Sequence, residues 1–428
     1  MILKQEKINE GITFSSIKTD KFKSSVISFS LTFPMSKESV VYNILLSQIL
    51  LRGTKSFPSL SLLNKHLDEL YGSYIEIKSH NIGQNVSLCI VAETLENKYI
   101  SDDTDILKEV IQTIAELILC PAFIQYGFNK DYFEQEKKLA IDSINSEINN
   151  TRVYAAKRCI ELMNENSAKP TSDELKVLIH NASFNGLLEH YHSLILKTPI
   201  NIFYIGSENN AAIIDKISSA FGDHTPNATI SPVELRQIKS SVLCEKSTKM
   251  PVSQGKLSLG FSTDTVFDNS DKYYTMMMLN EIFGGSASSK LFLNVREKMS
   301  LCYYCSSSYS PFSGVLLVSS GFEVKNHRIA KEAILEQLED IKNGLISDTE
   351  FSAAQKSFIN SYRQLYDSPF DMQAFISDRA IFGITDTLDT VQKKILAVTK
   401  EDIISLASQI KLNASFFIEG TEDNEEEI

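Results

Sequence analysis

Two phrases return along this chain at nearly the same interval, and that recurrence limits the fold more than any other feature. Phe203-Tyr-Ile-Gly206 comes back as Phe417-Ile-Glu-Gly420, 214 residues later. Phe133-Glu-Gln-Glu-Lys-Lys-Leu-Ala-Ile141 comes back as Phe351-Ser-Ala-Ala-Gln-Lys-Ser-Phe-Ile359, 218 residues later. Solenoid units repeat every ~20–50 residues, so the pattern predicts one duplicated domain and not an array. At 428 residues the chain is long enough for each copy to bury its own core. Between the copies, Gly222-Asp-His-Thr-Pro-Asn-Ala-Thr-Ile-Ser-Pro232 is rich in turn formers. The expected organisation is therefore a first domain over 1–221, a linker over 222–240 and a second domain over 241–421. The acidic tail 422–428 is expected to be disordered.

Hydrophobic periodicity fills in the halves. Gly11 to Ile17 and Val26 to Phe33 read as strands, followed by a helix capped by Ser36 and ending at Arg52-Gly53. Its expected buried stripe is Val40, Ile44, Ser47/Gln48 and Leu51. A helix from Ser59 buries Leu63, Leu67 and Leu70. Tyr74 to Lys78 and Val86 to Val91 alternate like strands, Ile106 to Leu119 is an amphipathic helix, and Asp131 to Met163 is one long or kinked helical tract. Leu187 to Leu196 and Ala211 to Phe221 read as helices flanking a strand, Ile200 to Ile205. In the second half an apolar helix, Tyr273 to Phe283, breaks at Gly284-Gly285, and Ser286 or Ser288 is placed to cap the next one. That helix has Leu291, Phe292, Val295 and Met299 as its expected stripe, with Arg296 one step off it. Tyr303 opens a strand, Leu301 to Tyr309, which turns at Pro311–Gly314 into Val315 to Val324.

Composition excludes several classes of function. A net charge of -12 argues against nucleic acid or an anionic membrane surface, since both select basic patches. No stretch approaches the ~18 apolar residues of a membrane span. The opening Met1-Ile-Leu-Lys-Gln-Glu-Lys has no apolar core with a small-residue cleavage site, so no secretory signal is expected. Six cysteines in a chain of this size suggest no disulfide framework, which points to the cytoplasm. Cys302 and Cys305 spell C-x-x-C; on a strand they would face opposite sides and form no redox or zinc site. There is no G-x-S-x-G nucleophile elbow and no phosphate loop.

The wording around residues 284–310 adds a family. Gly284-Gly-Ser-Ala-Ser-Ser-Lys-Leu-Phe292, then Val295-Arg-Glu-Lys298, Leu301-Cys-Tyr303 and Ser307-Ser-Tyr-Ser310, resembles the C-terminal repeat of the M16 (pitrilysin/insulinase-type) zinc peptidases. In that family an Arg and a Tyr hold the substrate backbone in a closed chamber, and Arg296 and Tyr303 match that pair. The resemblance implies an α+β fold of two homologous repeats, each an antiparallel sheet with helices on one face (the LuxS/MPP-like metallohydrolase fold), around a peptide chamber.

The family's metal motif, H-x-x-E-H, puts two imidazoles on one helix face with a Glu between them as general base. It sits on the helix that ends in a phrase like Leu50-Leu-Arg-Gly-Thr54 here. Counting back, the two His positions hold Ile44 and Gln48 and the Glu position holds Ser47. None of the three can serve as an imidazole ligand or accept a proton from water. The third ligand position falls at or beside Ser143, with Asp142 and Glu147 near. The seven histidines (66, 80, 180, 190, 192, 224 and 327) include no pair at i and i+3 or i+4. Leu187-Leu-Glu-His190 looks like the tail of the motif, but Gly186 stands where its first His belongs, and His66 reads as a packed or surface histidine. No catalytic residue, metal or other cofactor is therefore expected in this chain. The family includes paired subunits, one with the zinc site and one with the Arg/Tyr pair, and this chain resembles the second kind. It is most similar to bacterial members without a zinc site, including the YfmF-like group associated with elongation factor P modification. The implied function is a non-catalytic, substrate-binding subunit of a heterodimeric metallopeptidase acting on peptides or small unfolded proteins, with zinc only in an H-x-x-E-H partner. The alternatives are a peptide-binding scaffold without a role in proteolysis and an enzyme active alone through a rebuilt site.

Overall fold

The recurrence seen in the sequence returns as a recurrence of strand order. A computed structural model describes residues 3–124, 127–163, 168–230, 232–233, 235, 242–267, 270–384 and 386–421. The tail 422–428 and part of the linker (231, 234 and 236–240) lie outside these residues. The first sheet contains β1 (Lys4–Asn9), β2 (Ile12–Lys18), β3 (Ser24–Pro34), β4 (Tyr74–Ile82), β5 (Asn85–Leu95) and β6 (Ile200–Gly206), in the order β1-β2-β6-β3-β5-β4. The second contains β7 (Cys244–Met250), β8 (Gly255–Ser262), β9 (Tyr304–Ser310), β10 (Val315–Phe322) and β11 (Lys411–Gly420), in the order β7-β11-β8-β10-β9. With β1 set aside, both sheets read first, fifth, second, fourth, third. The two recurring phrases fall on matching elements: one on β6 and β11, the other on helices Lys130–Ser146 and Asp348–Gln364.

The α+β class holds, but the sheets are not purely antiparallel. β2 runs parallel to β6 and β7 parallel to β11, while the other pairings are antiparallel. The fifth strand of each half returns only after a long helical crossover, which is what a parallel neighbour requires. β1, Lys-Gln-Glu-Lys-Ile-Asn, has too little apolar alternation to be read from sequence and lies at the sheet edge.

A larger correction concerns which helices belong to which half. The tract expected as one long or kinked helix over Asp131–Met163 divides at Glu147–Asn150 into helices Lys130–Ser146 and Thr151–Met163. The second of these packs on β8 and β11, where Ala155, Cys159 and Met163 join Met250, Val315, Ala414, Phe416 and Ile418 in one buried cluster. Reciprocally, helix Pro369–Ile381 packs on β3 and β6, with Phe370 against Val26, Cys89 and Val91. The two compact units are therefore 1–144 with 168–234 and 364–387, and 145–167 with 235–363 and 388–428, not contiguous halves. Nor do the first sheet's helices keep to one face. β3 is buried on both sides: Ser28, Ser30 and Thr32 are as buried as Phe29 and Leu31. Their hydroxyls are matched by Gln373 Nε2 donating to Ser28 Oγ (3.1 Å), Ser30 to Cys89 Sγ (3.3 Å) and Thr32 to Ser87 Oγ (3.0 Å). That matching removes the penalty of burying them.

Candidate functional site

Helix Lys37–Leu50 carries the degenerate motif positions. Its start is a capping box: Ser36 Oγ accepts from Ser39 N (3.0 Å) and Ser39 Oγ from Ser36 N (2.8 Å). The helix touches β4, β5 and two other helices, so it is buried on several sides at Val40, Val41, Asn43, Leu45, Leu46, Ser47, Ile49 and Leu50. A single-stripe reading fails on such a helix. Ile44 is only half-buried, Gln48 is exposed and Leu51 lies past the helix end. Ser47 is buried, and its hydroxyl donates to Ile44 O (2.7 Å) while accepting from Gln48 Nε2 (3.3 Å). The two polar side chains of the motif thus satisfy each other and the helix. Ser143 is exposed on helix Lys130–Ser146, as is Asp142.

These residues do not fit a zinc centre. They offer no imidazole, one spent hydroxyl and a solvent-facing amide. Among the described residues no three His, Cys, Asp or Glu side chains gather as a metal-holding group. What remains of the motif is structural. Arg52 donates through Nε to Glu136 Oε1 (2.8 Å), pairs through Nη2 with the same oxygen and lies 4.8 Å from the Tyr132 ring centroid, tying the helix end to Lys130–Ser146. His66 stacks on Phe57 at 4.0 Å and shares a hydrogen bond with Thr113 Oγ1 (3.2 Å), a packed histidine.

The second half presents Arg296 and Tyr303. Helix Asp271–Asn280 runs into a π-helical turn, Glu281–Gly285, and a second π-helix, Leu291–Lys298, follows. A Cβ at Gly284 would lie 2.6 Å from Ser307 N, so only glycine lets this turn approach β9 so closely. Neither Ser286 nor Ser288 caps the second helix; Ser289 Oγ accepts from Phe292 N (3.4 Å). Lys290 is buried and paired with Glu350 at 2.9 Å. Burial opposes ionisation of Glu350, but Lys290 and the Ser347 donors outweigh it and hold the carboxyl below its usual range. Leu291 and Val295 are buried, Phe292 is half-buried, and Met299 is exposed where the helix ends.

Arg296 keeps 38% of its side chain exposed, lies 4.5 Å from the Phe292 ring centroid and approaches Glu297 Oε1 at 3.6 Å. Tyr303 precedes β9 rather than opening it. Its N–H donates to Gly321 O (2.8 Å) and its side chain is 54% exposed. Among the described residues no hydrogen bond, ion pair or ring contact joins Arg296 to Tyr303. Tyr303 is held at its backbone with an exposed ring, whereas the Arg296 guanidinium is half-exposed and rests against Phe292 and Glu297. Cys302 also lies before β9, so strand alternation does not separate it from Cys305. The influence of the Cys305 thiol lowers the Cys302 pKa against the opposing effect of burial, the Cys302 thiol and then burial raise that of Cys305, and Ser320 Oγ donates to Cys302 Sγ (3.1 Å).

The Peptidase M16 inactive domain family matches residues 181–358. The chain is 32% identical over 415 residues to the "Probable inactive metalloprotease YmfF" of Bacillus subtilis, covering 96% of each chain. It is 27% identical over 234 residues to the "Uncharacterized zinc protease YmxG" of the same organism, covering 54% of this chain and 56% of that one. A conserved protein from Enterococcus faecalis superposes with a TM-score of 0.88 at 24% identity, over 99% of this chain and 100% of that one. A peptidase M16 inactive domain from Pseudomonas fluorescens superposes with a TM-score of 0.77 at 14% identity, over 98% of both.

Proposed function

This chain belongs to the M16 peptidase family as a non-catalytic member, and from that premise we propose that it is the substrate-binding subunit of a heterodimeric M16 metallopeptidase. The observation that carries the reading is a contrast within one chain. The motif positions Ile44, Ser47, Gln48 and Ser143 offer no ligand set, while Tyr303 stands exposed and the Arg296 guanidinium half-exposed at the surface of the second unit. In this reading a partner subunit with H-x-x-E-H supplies the zinc and the general base. This chain supplies a guanidinium and a phenol that hydrogen-bond the backbone of a peptide. No described helix is long and apolar enough to cross a membrane. All six cysteines are free, which supports a cytoplasmic setting.

The test is co-expression with an H-x-x-E-H subunit from the same source, followed by purification and peptide cleavage. Arg296→Ala should lower kcat/KM roughly 10- to 150-fold, the loss of a charged hydrogen bond of ~1.5–3 kcal/mol. Tyr303→Phe should cost less, ~0.5–1.5 kcal/mol, and the two should be non-additive if they hold one stretch of peptide. Melting temperatures should stay near wild type, since Tyr303 is exposed and Arg296 half-exposed with only surface contacts to Phe292 and Glu297. Wild-type cleavage by both variants would end the gripping role. Peptide binding without any such partner would leave a scaffold.

A further inference from the structure

Two cations on the second unit converge on one tyrosine without a counter-ion. Lys256 on β8, Gly321 on β10 and Tyr304 on β9 lie in one cross-strand row. Gly321 has no side chain, so the Tyr304 ring lies across β10, where a Cβ would collide with it. Arg152, at the start of helix Thr151–Met163, places its guanidinium 4.4 Å from the ring centroid and donates to Ser306 Oγ (3.1 Å). Lys256 Nζ lies 5.4 Å from the same centroid and donates to Gln254 Oε1 (2.7 Å). Among the described residues neither cation forms an ion pair, in a chain of net charge -12. The Tyr304 hydroxyl is buried and has no hydrogen-bond partner among the described residues. Burial, and then repulsion from Arg152, hold the Lys256 ammonium below its ordinary pKa.

We propose that Arg152, Lys256 and Tyr304 form a subsite for a peptide carboxylate. The ring attracts each cation but carries no charge to neutralise them, so their mutual repulsion remains, and an anion between them relieves it. The guanidinium keeps donors free beyond the one on Ser306, and a carboxylate can take them as a fork. The positive end of a 13-residue helix adds to the same potential. This rests on the reading that the chain binds peptides and names the chemistry they carry. Either an acidic side chain or a free C-terminus can supply the carboxylate.

Calorimetry on the intact chain tests it with three peptides of one core sequence. One carries an internal Glu and an amidated C-terminus, one a free C-terminus and no acidic residue, and one neither. At least one of the first two should bind roughly 10-fold tighter than the third, and the one that does identifies the source. Arg152→Gln and Lys256→Gln should abolish that difference and leave binding of the neutral peptide unchanged. Equal binding of all three, or a difference that survives both substitutions, overturns the subsite. A second readout needs no peptide: glutarate should raise the pKa of Lys256, followed by NMR of 13C-labelled lysine. If no peptide binds the lone chain, the proposed function still stands or falls on cleavage by the reconstituted pair, while an unchanged Lys256 pKa in glutarate overturns the cluster as a carboxylate site.

Discussion

Ser47 shows how far a degenerate residue can settle into a structural task. It is buried, and its hydroxyl is committed to Ile44 O and Gln48 Nε2. Rebuilding the motif with Ile44→His, Ser47→Glu and Gln48→His would bury a carboxyl where a hydroxyl was satisfied, costing ~1–3 kcal/mol if it is left unpaired. Ser143 would still offer no third ligand. The triple variant is expected to melt lower, bind no stoichiometric zinc by elemental analysis and cleave no peptide. Robust zinc-dependent cleavage would show that only those three side chains had been lost. His190 makes a second residue-level prediction. It packs against Phe33 and Tyr42, its Nε2 is buried without a partner among the described residues, and burial lowers its pKa to about 4. The unfolded chain, near 6.5, therefore binds the proton first as pH falls. The contribution of neutral His190 is fully present above about pH 6.5 and is lost as pH drops towards 4. Between pH 7 and 5 the loss should be about 2 kcal/mol by denaturant unfolding, and His190→Phe should remove that pH dependence. A slope unchanged by the substitution would place the titration elsewhere.

At the scale of elements, helix Thr151–Met163 is the one whose place the sequence leaves open. Its buried positions, Ala155, Cys159 and Met163, are small or sulfur-bearing, and its ring and cation neighbours, Tyr154 and Arg158, lie at the edge of the contact. Met163 is buried, and a Cβ at Gly260 would lie 2.5 Å from its Sδ, so helix and β8 are in direct contact. Met163→Ala should destabilise by about 2–5 kcal/mol through the cavity it leaves. The exposed Val153→Ala on the same helix should stay within about 0.5 kcal/mol. Equal losses from both would mean that helix propensity and not packing holds the element. Arg296 and Tyr303 belong to this scale too. Their positions depend on a π-turn with glycine at 284 and on the Lys290–Glu350 pair, and neither feature can be recognised from apolar spacing.

For the whole molecule, the exchange of helices means that neither half of the chain carries all of its own core. Residues 1–234 alone lack Pro369–Ile381, leaving β3 and β5 uncovered at Val26, Cys89 and Val91. That fragment should show no cooperative thermal transition by itself and should regain one when co-expressed with 242–428. A sharp transition from 1–234 alone would show that the exchanged helix is dispensable. The sequence by itself determined most helices and strands, the recurrence of the two phrases, the family, and the absence of an imidazole or carboxylate at Ile44, Ser47 and Gln48. All of these rest on local periodicity or on residue identity, which a linear reading preserves. Only the tertiary structure decided that Ser28, Ser30 and Thr32 are interior, that Cys302 is buried ahead of β9 and not on it, and that each sheet borrows a helix from the other half of the chain. These depend on which surfaces meet across hundreds of residues. A small hydroxyl or a short apolar helix satisfies burial and exposure equally well until its partner is in place.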